Sequence, residues 1–99
     1  MAKRSSNRTA PARVTAGLKI ARIQTGMRIE KRLLKVMKAL ADYHDISLGD
    51  LVEGIVLHAF EGKSPFGAQS LQRIAELKHV FRLDLGAEAS HRLIEEDGP

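Results

Sequence analysis

The 99-residue chain contains no cysteine and no tryptophan, and its aromatic residues are only Tyr43, Phe60, Phe66 and Phe81. Without cysteine it forms no disulfide and no thiolate metal site, which fits a reducing cytoplasm. With so few aromatics it lacks the stacking platforms of single-strand and RNA-binding modules. No apolar run approaches the ~20 residues that span a bilayer, and the N-terminus lacks the apolar stretch of a signal peptide. A soluble intracellular protein with no membrane contact is the expectation. Glycine-rich phosphate loops, nucleophile elbows and paired carboxylates are also missing, so neither an enzyme nor a cofactor is expected. His44, His58, His79 and His91 show no i, i+4 pairing, so no metal site is expected, and His58 reads as an interface residue.

Acidic residues are missing from the whole of the first 29 positions. That stretch holds Lys3, Arg4, Arg8, Arg13, Lys19, Arg22 and Arg28, so it carries +7 while the chain as a whole carries +4. The acids concentrate at the other end, where Asp84, Glu88, Glu95, Glu96 and Asp97 face a lone Arg92. Such polarity favours an anionic partner for the N-terminal part.

Residues 1–17 are rich in Ser, Ala, Arg and Asn and have no sustained apolar period. They read as a disordered basic arm, or equally as a solvated tail with no specific role. Over residues 18–29, Ile23, Thr25, Met27 and Ile29 alternate with Arg22, Gln24, Gly26 and Arg28. Alternation at period two predicts a short strand with one apolar and one polar face.

From Glu30 to about His44 the spacing turns helical, with Leu33, Leu34, Val36, Met37, Leu40 and Ala41 on one face. Ser47-Leu48-Gly49-Asp50 is a Ser-x-x-acid helix start, flanked by Ile46 and Leu51 as a hydrophobic staple. The second helix carries Leu51, Val52, Ile55, Val56, Ala59 and Phe60 and closes at Gly62 and Pro65. Gly54 inside it costs about 1 kcal/mol relative to Ala, which reads either as a close packing partner or as tolerated drift. Leu71, Ile74, Leu77, Val80 and Phe81 predict a third helix over about 68–81, and a short fourth is expected over about 87–95.

A lone strand followed by two helices leaves unpaired backbone groups on both strand edges. The simplest partner is the same strand of a second copy, giving an antiparallel two-stranded ribbon over four helices in a homodimer. The dimer core would comprise Ile23, Met27, Ile29, Leu33, Leu34, Met37, Leu40, Leu51, Val52, Ile55 and Val56. The outer face would show Arg22, Gln24, Gly26 and Arg28 twice. A two-stranded ribbon fits the major groove of double-stranded DNA, where Arg matches guanine O6 and N7 and Gln matches adenine N6 and N7.

These residues resemble the ribbon-helix-helix proteins of the Arc and MetJ superfamily. The resemblance runs through Met27-Arg28-Ile29, Leu33-Leu34, Met37-Lys38-Ala39-Leu40-Ala41 and Ile46-Ser47-Leu48-Gly49-Asp50-Leu51-Val52, and it covers roughly residues 22–60. It implies a mostly α ribbon-helix-helix fold in residues 18–62, preceded by the arm and followed by a helical extension, 63–99, with an acidic tail. It also implies base contacts from Arg22, Gln24, Gly26 and Arg28. Backbone N–H groups at Ser47, Leu48 and Gly49 would hold a phosphate, as helix N-termini do. Gly26 stands where members usually carry a polar reading side chain, and Gly49 where the cap motif often has Ser. Specificity would then rest on Gln24, Arg22 and Arg28, on the arm, or on DNA shape.

The function implied is that of a dimeric, sequence-specific transcriptional repressor in the cytoplasm, associated with the nucleoid and able to stack into higher-order assemblies on DNA. Two other expectations share the fold. One is an antitoxin-type protein whose segment after Pro65 binds a partner protein; the other is an accessory DNA-binding protein of plasmid transfer or partition.

Overall fold

A computed structural model describes residues 17–96; the expected basic arm, but for its last residue, and the final three residues of the acidic tail lie outside them. The described residues form three helices, α1 (Lys31–His44), α2 (Leu48–Phe60) and α3 (Ala68–Val80), followed by a single 3-10 turn, Ala87–Ala89. Among the described residues there is no strand. The expected ribbon-helix-helix fold is thereby corrected: residues 17–30 form an irregular segment ahead of three helices. A strand exists only through ladder hydrogen bonds to a neighbouring backbone, and the described residues offer the segment no such neighbour. Ile23 and Met27, expected to face the helices, are 88% and 72% exposed.

Each helix begins and ends where local chemistry dictates. Glu30 caps α1, its carboxylate accepting from the Leu33 N–H at 2.8 Å. Ser47 caps α2, its Oγ accepting from the Asp50 N–H at 3.0 Å. Gly67 precedes α3 without a side-chain cap. All three helices close in the same way, with a left-handed residue just past the end: Asp45 (φ 59°), Gly62 (φ 70°) and Arg82 (φ 57°). The amide of the following residue then reaches back five positions, from Ile46 to Ala41, Lys63 to His58 and Leu83 to Lys78. These are Schellman closures, and Leu83 adds their usual apolar contact by being buried.

The apolar face of α1 organises the core. Val36, Leu40 and Ala41 are buried on it, joined by Leu51 of α2 and Leu83 past α3. Met37, Ile46, Ile55, Phe66, Ile74 and Leu77 pack around the Leu40, Ala41 and Leu51 cluster. The α1–α3 contact has a polar rim. Arg73 lies 4.5 Å over the Tyr43 ring, Gln69 donates to the Tyr43 hydroxyl at 3.1 Å, and Ser70 hydrogen-bonds His44 at 3.1 Å. The expected fourth helix is only the 3-10 turn, because Ser90 turns extended (ψ 134°) and His91 left-handed (φ 66°). A segment that short has too few hydrogen bonds to offset helix nucleation unless it buries an apolar face, and Ile94 stays 92% exposed.

The second helix is the anomaly. Its sequence is apolar nearly all round, a pattern that belongs to a fully buried helix. Yet only Leu51 is buried, while Leu57 and Phe60 are 65% and 82% exposed. Among the described residues nothing lies within 4 Å of where a Cβ on Gly54 would sit, so they supply no close packing partner there. No helix among the described residues is long and apolar enough to cross a membrane.

Candidate nucleic-acid interface

Arg22, Gln24, Gly26 and Arg28 all lie exposed on the irregular segment. Two of them are held by carboxylates from distant parts of the chain. Arg22 donates from Nε to Glu53 Oε2 at 2.8 Å and from Nη2 to Glu53 Oε1 at 2.7 Å, a two-point clasp onto the second turn of α2. Arg28 makes the same kind of clasp with Glu95, donating from Nε at 2.9 Å and from Nη2 to the other carboxylate oxygen. The hydrogen bonds to Arg22 and Arg28 hold the Glu53 and Glu95 carboxyls below the ordinary range and both guanidiniums above theirs.

The clasp on Glu53 sets the segment beside the start of α2. Asp50, in the first turn, also acts electrostatically on Arg22. The residues expected to hold a phosphate are in that same turn: Ser47 exposed, Leu48 half-buried and Gly49 exposed. The structure thus brings Arg22 close to the α2 N-terminus. Ser47 Oγ already occupies the Asp50 amide, which leaves the Leu48 and Gly49 amides at the positive end of the helix.

The residues expected in a dimer core divide. Leu40 and Leu51 are buried within the single chain; Ile29, Leu33, Leu34, Met37, Val52 and Ile55 are half-buried; Ile23, Met27 and Val56 are exposed.

Three long-range acidic partners escape sequence reasoning, two of them at this surface. Glu53 and Glu95 stand 31 and 67 positions from the arginines they hold. Asp84 meets Arg32 across 52 positions. The signal for Glu53 was its place as the lone charged residue in the apolar run from Leu51 to Leu57. Among the described residues no three His, Asp or Glu side chains gather as a metal would need. His58 donates from Nδ1 to the Gly54 carbonyl at 2.7 Å, a bond within its own helix.

Comparison with known proteins finds no matching family model, no matching curated protein and no matching solved structure.

Proposed function

We propose that this chain is a double-stranded DNA-binding protein that works as a homodimer, most simply a transcriptional repressor. The observation that carries the reading is the placement of Arg22, Gln24 and Arg28, all exposed, on a segment clasped to α2 beside its N-terminus. Arginine and glutamine edges match guanine and adenine in the major groove. The neighbouring Leu48 and Gly49 amides suit a backbone phosphate, which sets register without reading sequence. The acid-free N-terminal stretch adds long-range attraction to a polyanion.

The dimer is supported by the uncovered apolar surface. Leu57 and Phe60 of α2, with Ile23 and Met27, are large apolar side chains that the single chain leaves mostly exposed, and Val56 beside them is partly so. A second copy would bury them and would double the DNA-contacting residues about a twofold axis. Of the alternatives, a free partner-binding tail fits less well, since Ile74 and Leu77 of α3 pack on the core instead of standing unpartnered.

Selection from random duplex DNA, followed by fluorescence anisotropy in rising KCl, tests the reading. A two-part site and an affinity that falls by orders of magnitude between about 50 and 200 mM salt are expected. No enriched duplex, or a chain that stays monomeric at micromolar concentration in sedimentation, would overturn it.

A further inference from the structure

We infer that Glu53 is a positioning residue that holds Arg22 in reading geometry, making Arg22 the principal base-reading side chain; this rests on the DNA-binding function proposed above. A guanidinium carries five N–H donors in a fixed plane. The Glu53 carboxylate takes one from Nε and one from Nη2. Of the three left over, one on Nη1 and one on Nη2 lie side by side along the outer edge of the plane, and the second on Nη1 points back toward the side-chain stem. That outer edge is the fork that meets guanine O6 and N7. The clasp therefore leaves the reading edge free while fixing the plane from behind.

Two contrasts single out Arg22. Glu53 stands on a regular helix with a satisfied N-cap, and its side chain is the less exposed of the two carboxylates, at 42% against 60% for Glu95. Glu95 belongs to the irregular stretch after the 3-10 turn, so Arg28 is tied to a part of the chain that has no element of its own. Gln24, at the centre of the segment, is exposed. Arg22 is thus the one candidate reader fixed from the helical body. A side chain already held in its bound orientation loses less freedom when it binds.

Charge points the same way. A phosphate contact wants an uncompensated cation, and Arg22 is neutralised by Glu53 and has Asp50 close by. A base edge is neutral and offers acceptors, so it is recognised by donor geometry and not by net charge. The pair suits base reading and is poorly suited to holding backbone.

The test uses full-length wild type, R22A, R22K, E53Q and the R22A/E53Q double variant. The probes are the duplex enriched by selection and its single base-pair changes, and thermal melts establish that each variant folds. R22A should lower discrimination at one G·C pair by between about 5- and 150-fold. R22K, which keeps the charge and loses the fork, should do nearly the same. E53Q should lower discrimination at that same pair while raising affinity for unrelated duplexes, because an anion has gone. The double variant should match R22A there, since Glu53 acts through Arg22. Tighter binding by E53Q with discrimination intact would make Glu53 a mere competitor of DNA and overturn the inference, as would R22A reading the site like wild type. Failure of the wild type to enrich any duplex would instead remove the DNA-binding function, and the inference with it.

Discussion

Arg32 Nη1 donates to Asp84 Oδ1 at 3.0 Å and to the Arg82 carbonyl oxygen at 2.9 Å, so one side chain in the first turn of α1 fastens the closure of α3. The same guanidinium donates from Nε to Glu30 at 3.1 Å, linking the α1 cap into the cluster. Asp84 is largely exposed, so its share of the energy is small, whereas the carbonyl bond and the packed Arg32 stem are lost only with Arg32 itself. R32A should therefore destabilise clearly more than D84N, whose effect should be close to nil, as read by urea unfolding. Equal effects would show that the ion pair dominates.

Arg82 holds a left-handed backbone at φ 57°, which disfavours a residue with a Cβ by roughly 1–2 kcal/mol. Glycine relieves that strain and gives back part of it as unfolded-chain entropy. Because the contact to Arg32 is made by the carbonyl and not by the side chain, R82G keeps it. A net gain of about 0.5 kcal/mol, seen as a rise in Tm, is expected.

The Leu33 N–H, and after it Arg32, holds the Glu30 carboxyl below its ordinary value. A lowered folded-state pKa means that the charged form stabilises the fold above the unfolded value of about 4.3. That contribution disappears as pH falls through the lower folded-state value. E30Q should be less stable than wild type by about 0.5 kcal/mol at neutral pH, from loss of the anion at the helix start. The difference should close as the pH drops below about 4. Urea unfolding at a series of pH values reads both curves, and a gap that persists in acid would locate the effect elsewhere than in the charge.

Leu57 and Phe60 protrude from the apolar helix, and self-association should depend on them. The L57E/F60E variant should sediment as a monomer at concentrations where wild type is dimeric. Because neither side chain is in the core of the single chain, its helical circular dichroism should remain. Concentration-independent monomer in the wild type would show that the exposed face has another role.

The helices were legible because their determinants are local. Ser47 caps α2 three residues from the amide it accepts from, and the period of Leu33, Val36, Leu40 and their neighbours marks the α1 face without reference to anything else. The strand was not, for the opposite reason. The alternation of Ile23, Thr25, Met27 and Ile29 specifies which residues would share a face, but strand structure needs a second backbone that no periodicity supplies. The segment over 87–95 shows the same limit in a helix: its composition suits one, and no packing face sustains it.

The candidate site was half legible. Side-chain type alone marked Arg22, Gln24 and Arg28 as able to read base edges. Their partners Glu53 and Glu95 lie 31 and 67 residues away, and an ion pair at such separation leaves no trace in local pattern. By itself, then, the sequence determined where the three helices start and stop, which residues line the core face of α1, and that the N-terminal region is cationic, all consequences of neighbours within about one turn. Only the tertiary structure decided that residues 17–30 carry no ladder, that α2 is left largely uncovered, and that Arg22 is held from behind by Glu53. Those depend on which distant backbone, face or carboxylate the folded chain brings within reach.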